Sequence, residues 1–192
     1  MRGLATIGAA VLAGLLGANA AAADPVIGTS MSYGDAIGDD ADERVATNLY
    51  AHVALGGGWI AGGELGGSIE AYTGGYGCGL ATGDVVPAVA KLCMQPGLSA
   101  HALFGSEASP SPASRLRVVL GVGVTSLFLL PGDGYETQRD TTASALVRAS
   151  YLFELGAAFT GTWYLGAQLE ERAVGLDHLS RSFGLVLEAS TN

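Results

Sequence analysis

Apolar and polar residues alternate with period two along most of this chain, and most clearly over Thr141–Glu171. Ala143, Ala145, Val147, Ala149, Tyr151, Phe153 and Leu155 hold one phase; Thr142, Ser144, Leu146, Arg148, Ser150, Leu152 and Glu154 hold the other. The phase resumes beyond a small-residue turn expected at Gly156–Ala158. Phe159, Trp163, Leu165, Ala167 and Leu169 then oppose Thr160, Thr162, Tyr164, Gly166, Gln168 and Glu170. Side chains alternate across a strand, so the pattern predicts two long strands, each with a greasy face and a polar, small-residue face. Both exceed the roughly five to six residues usual in soluble sheets. They match the roughly nine to eleven tilted residues that cross a membrane's hydrocarbon.

The rest of the chain repeats the pattern. Strands are expected near Ile27–Tyr33, Val45–Leu55, Trp59–Tyr72, Leu98–Glu107, Arg115–Leu129 and Leu179–Ala189. Between them lie Gly34–Glu43, dense in Asp and Gly, the tight turn Gly56–Gly58 and the long irregular stretch Thr73–Gly97. A proline-bearing turn at Ser109–Ser114 and the polar loops Pro131–Asp140 and Arg172–Asp177 complete the list. That makes about eight strands, joined alternately by longer polar loops and shorter turns. Sorting of loops by parity characterises outer-membrane barrels, with short periplasmic turns and longer extracellular loops. A soluble sandwich has no reason to do this.

Composition narrows the choice. Charged residues make up 14% of the chain, against about 25% for an ordinary soluble domain. Lys91 is the sole lysine, so the lysines that blunt exposed sheet edges are missing. Thirty glycines (Gly 30) suit strands that bend around a small barrel. No stretch after the N-terminal region is long and apolar enough for a membrane-spanning helix. A net charge of -9 disfavours a nucleic-acid partner, which needs a basic footprint. Residues 1–23 read as a secretory signal peptide: Arg2, the apolar run Leu4–Leu16, then Ala18-Asn19-Ala20 or Ala21–Ala23 as the small-residue cleavage site. Residues 24–192 then form a single barrel domain.

In this architecture the chain resembles the small eight-stranded outer-membrane barrels of the OmpA transmembrane-domain and OmpX kind. The resemblance implies an all-β, antiparallel, up-and-down transmembrane barrel in the outer membrane of a Gram-negative bacterium. It implies outer-membrane lipid, lipopolysaccharide and the barrel assembly machinery as partners, a monomer, and no cofactor. Such barrels usually end in an aromatic residue that the machinery reads; here the last residues are Leu187-Glu188-Ala189-Ser190-Thr191-Asn192. The leading function is non-enzymatic: a structural or surface-interaction role carried by the loops, since rigid scaffolds put their contacts there.

Several residues suggest chemistry. Glu64, Glu70, His101, Arg115, Arg117, Arg148, Glu154 and Glu170 share the inward phase. An eight-stranded interior is just wide enough for side chains, so these charges are expected to pair as a structural network; a gated narrow pore is the alternative. Trp59, Phe153 and Phe159 on the turn side, with Tyr33, Phe128 and Phe183 on the loop side, would form aromatic girdles or a soluble sheet's core. Cys78 and Cys93 lie in one long loop of an exported chain and read as a disulfide rather than a zinc site. Asp39, Asp40 and Asp42 could bind a divalent cation, but their spacing fits no EF-hand loop and a solvated acidic loop is the simpler reading.

His178-Leu179-Ser180 places an imidazole and a hydroxyl on one strand face, with Glu188 and Asp177 the nearby acids. Histidine, serine and a carboxylate are the parts of nucleophilic ester cleavage. This resembles the His-x-Ser pair of the PagL-like lipid A deacylases, although Arg181-Ser182 stands in place of the Asn-Ala pair that follows there. Gly56-x-Gly58-x-x-Ala61 echoes a dinucleotide fingerprint, but no βαβ unit surrounds it and it reads as a turn. A soluble periplasmic barrel around an apolar ligand is a third reading, with the apolar faces turned inward. Alternation alone does not choose the face.

Overall fold

The computed structural model describes residues 25–35, 43–73, 92–129, 138–158, 161–175 and 178–191. The strands are β1 (Val26–Gly34), β2 (Glu43–Gly56), β3 (Trp59–Thr73), β4 (Leu92–Ser111), β5 (Ser114–Leu129), β6 (Gln138–Ala158), β7 (Gly161–Val174) and β8 (His178–Thr191). Each pairs antiparallel with its neighbours in sequence, and β8 pairs with β1 over Val26–Gly34, closing the barrel.

The register defines the barrel's size. From Ser190, cross-strand partners run through Val26, His52, Gly62, Leu103, Gly121, Leu146 and Arg172, and return to β8 at Ser180. The shear is therefore 190 − 180 = 10. With about 3.3 Å per residue and about 4.8 Å between strands, eight strands at this shear tilt by about 41° around a radius of about 8 Å. Such a barrel is filled by its own side chains.

The faces are now assigned. The apolar phase points outward, with Val122 65% and Leu155 62% exposed, while Arg148 and Leu152 of the opposite phase are buried. Hydrophobic side chains outside and ionisable ones inside invert a water-soluble protein, and only an apolar surrounding medium makes that arrangement favourable.

Glycines let the interior fill. A Cβ on Gly28 would lie 2.4 Å from the Tyr50 ring, and one on Gly121 would lie 2.7 Å from Leu146. These positions seat the side chains of neighbouring strands. The β2–β3 reversal uses Gly56, Gly57 and Gly58 at φ 90°, 61° and 80°, a region other residues enter only at a cost.

Three local readings change. The expected turn Ser109–Ser114 shrinks to Pro112–Ala113, because β4 continues to Ser111 through a register shift between Ala108 and Ser111 that accommodates Pro110. Gly156–Ala158 continues β6 rather than forming the turn: the register shifts in a bulge between Glu154 and Gly156, and the strand runs on to pair Ala158 with Gly161. β4 begins at Leu92, so the Cys93 backbone is part of the sheet, opposite Tyr72. The signal-peptide residues lie outside the described residues.

Gly121→Val should lower the unfolding midpoint in detergent by the equivalent of about 1–3 kcal/mol, the usual cost of overpacking. Gly67→Val, where a Cβ meets nothing within 4 Å, should leave the urea midpoint essentially unchanged. Equal effects at the two sites would remove the argument for lumen seats.

Candidate functional site: the charged interior

Inward-facing residues from all eight strands meet in the lumen. On the loop side, Arg148 Nη2 lies 2.5 Å from Glu64 Oε2 and 2.5 Å from Glu170 Oε2. Arg172 Nη2 lies 2.8 Å from Glu170 Oε1 and 3.4 Å from Glu64 Oε1. Two guanidiniums and two carboxylates thus form a closed, alternating square, every member buried. Arg44 faces Glu70 more loosely, at 3.7 Å. The cluster holds three arginines and three glutamates and is electrically neutral. Neutrality matters because an unpaired charge this deep costs several kcal/mol or more.

His101 joins the square through Nδ1, 3.5 Å from Glu64 Oε1. Its Nε2 lies 2.8 Å from Ser144 Oγ, which accepts from Thr125 at 3.0 Å. The order serine, histidine, carboxylate resembles a nucleophilic triad. Here, however, Glu64 is committed to two guanidiniums, and all three residues are buried inside the barrel. They form an internal hydrogen-bond chain.

A second neutral cluster fills the turn side. Glu188, fully buried, holds the Arg117 guanidinium and accepts the Tyr50 hydroxyl at 2.5 Å. Arg117 also reaches Glu107 at 2.5 Å. Arg115 lies 3.4 Å from Glu107, donates to the Tyr164 hydroxyl at 2.7 Å and stacks over that ring at 4.0 Å. Packed among these residues and the square above them are Leu103, Leu146, Leu152 and Val186, in contact with Tyr50 and Tyr164.

Of the inward residues singled out from the sequence, Glu64, Glu70, His101, Arg148 and Glu170 fall in the loop-side cluster. Arg115 and Arg117 fall in the turn-side one. Glu154 does not join either. It is exposed at the bulge, below the packed lumen, where its amide donates to the Ala113 carbonyl at 2.9 Å. Arg44, Glu107, Arg172, Tyr50 and Tyr164 were not singled out as members. Arg44 and Arg172 continue the inward phase of their strands, which was the available signal, but the expected strand ends cut them off.

The ester-cleavage candidates do not assemble. Ser180 Oγ donates to the Asp35 carbonyl at 2.6 Å. Glu188 lies eight residues further along β8, roughly 26 Å away at strand rise, held by Arg117 and Tyr50. The described part of His178 is its backbone, paired with Val174. Asp177, Asp39, Asp40, Asp42, Cys78 and Phe159 lie outside the described residues. Among the aromatics, Tyr33 and Phe183 are exposed cross-strand partners on the loop side. Exposed Trp59 stacks on Phe104 at 5.2 Å, and exposed Phe153 meets Tyr151 edge-on at 4.8 Å. Phe128 is half-buried opposite Arg139.

No protein-family model matches the chain, and no curated protein matches it in sequence. Solved structures do match in shape. The crystal structure of Neisserial surface protein A has a TM-score of 0.58 at 8% identity, over 86% of this chain and 95% of that one. Ail, the attachment invasion locus protein of Yersinia pestis, solved in complex with the heparin analogue sucrose octasulfate, has a TM-score of 0.53 at 12% identity, over 88% and 96%. At these identities the likeness establishes the fold, that of the small eight-stranded outer-membrane barrels.

Glu170→Gln should destabilise the barrel by about 3–5 kcal/mol, because it leaves a guanidinium buried without its partner. Adding Arg172→Met removes the orphaned charge and should recover most of the loss. Urea unfolding in detergent reads both; a double variant no more stable than the single one would contradict the square as a unit.

Proposed function

We propose that this protein is an outer-membrane barrel with a structural or surface-interaction role, its contacts made by the four longer connections at one end. The observation that carries the reading is the inverted distribution of side chains: apolar belt outside, neutral ion-pair networks inside. Such a surface is matched to lipid, and such a lumen is matched to holding a barrel rather than conducting through it.

The distribution of connections supports the loops as the contact elements. Residues 35–42, 74–91, 130–137 and 175–177 connect the strands at one rim, while 57–58, 112–113 and 159–160 are two-residue connections at the other. Eight acids (Asp35, Asp39, Asp40, Asp42, Asp84, Asp133, Glu136 and Asp177) and one base, Lys91, occur in the first set; the second set carries no charge. A rim of this sign favours cationic partners, or lipopolysaccharide phosphates bridged by divalent cations, over free polyanions. The chain enters lipid by way of an N-terminal export signal and the barrel assembly machinery in this reading, and acts as a monomer without a cofactor.

An epitope inserted within 131–137 should be detected by antibody on intact cells, whereas the same epitope at Pro112–Ala113 should require permeabilised cells. The reverse pattern would overturn the proposed orientation. In planar bilayers the purified barrel should show no steady ion conductance; a stable open channel would overturn the structural reading of the lumen.

A further inference from the structure

The described outward-facing charges gather on adjoining strands at the loop end. Glu171 on β7 pairs with Arg181 on β8, Nε to Oε1 at 2.8 Å, with the side chains 54% and 67% exposed. The Arg181 carbonyl accepts the Asp35 amide at 2.8 Å. Glu43 follows on β2, one step beyond the Gly34–Arg44 pair. All four are exposed, directly above the apolar row Leu169, Phe183, Tyr33 and Val45. Among the described side chains, Arg181 is the outward-facing cation.

The opposite wall differs at the same level. Each residue rises about 2.5 Å along the barrel axis, and each cross-strand step from β1 toward β8 climbs about 3 Å. From Ala102 on β4 the partners run through Val122, Ala145 and Ala173 to Leu179 on β8, four steps and about 12 Å higher. Phe183 lies four residues back down from Leu179, so its level is within about 3 Å of Ala102. By the same count Leu98 on β4 stands slightly higher than Arg181, yet it is an exposed leucine (58%), and Ile69 beside it on β3 is also exposed. Glu171 and Arg181 therefore interrupt the apolar surface of β7 and β8, with the exposed Leu179 above them, at a level where β3 and β4 are still apolar.

Hydrocarbon around Arg181 and Glu171 would leave exposed charges without water. The inexpensive remedies are a tilt of the barrel or local thinning of the bilayer, each costing a fraction of a kcal/mol per Å. Either brings headgroups down one wall. Arg181 has donors beyond the Nε given to Glu171, and a guanidinium suits phosphate oxygens.

We propose that the polar headgroup layer on the loop side descends along β7, β8 and β1, with Arg181 meeting lipid phosphate there. The inference rests on the membrane reading above. Its test uses nitroxide labels on Phe183→Cys and Ala102→Cys, in a chain carrying Cys78→Ser and Cys93→Ser. The protein is reconstituted in vesicles of phosphatidylethanolamine and phosphatidylglycerol, and label depth is read from the contrast between oxygen and nickel-chelate accessibility. The label at 183 should be shallower than that at 102 by well over the about 3 Å register offset. The gap should shrink to that offset when Glu171→Leu and Arg181→Leu are added, with the urea midpoint confirming the fold. Equal depths, or a gap unchanged by the double substitution, overturn the inference while leaving the membrane reading intact. Two labels both in water would instead overturn the membrane reading.

Discussion

Closure of β8 onto β1 is the contact on which the rest depends. In hydrocarbon every backbone amide and carbonyl must be satisfied within the protein, so a spanning sheet cannot have an edge. The nine-residue strand β1 is the shortest of the eight, and it is paired along its whole length on both sides. The shear of 10 that this closure imposes sets a narrow lumen, and a narrow lumen must be packed by side chains.

What packs it follows from the same constraint. With the apolar phase turned to lipid, the small and ionisable residues are left to fill the middle. Charges so placed survive only as matched sets, which is why arginines and glutamates occur in equal number in each cluster. The square of Arg148, Glu170, Arg172 and Glu64 joins β6, β7 and β3, and the pairing of Arg117 with Glu188 joins β5 to β8 across the lumen. The links from Glu64 to β6 and β7, and from Arg117 to Glu188, tie strands that share no ladder, so the interior contributes to the uniqueness of the register as well as to stability. The same commitment of side chains supports the proposed structural role, in which contacts are assigned to the rim.

Much of this was legible in the sequence. The apolar run Ala143–Leu155, the recurrence of that phase and the parity of loop lengths are direct consequences of a barrel wall, and they appear as period-two alternation. Which face met lipid was not legible, because alternation is symmetric under exchange of faces. Strand ends were missed where local signals misled. Pro110 reads as a turn but sits at a register shift, and Gly156 reads as a reversal but adopts φ 121° in a bulge. At the loop end, strands expected to begin at Val45 and to stop at Glu171 run on to Glu43 and Val174, which hid Arg44 and Arg172. Partnership was beyond reach altogether: Glu188, considered beside His178 because both lie on the last strand, is held by Arg117 and Tyr50 at the far end of the lumen.

The most direct test of the central claim is electrophoresis of isolated outer membranes in SDS, comparing unheated and boiled samples. A closed, membrane-embedded barrel should resist SDS until boiled, so the unheated band should migrate faster than the boiled one, in the membrane fraction. A protein recovered in the soluble periplasm with one mobility in both samples would contradict the account, and its exposed belt would need a different cover.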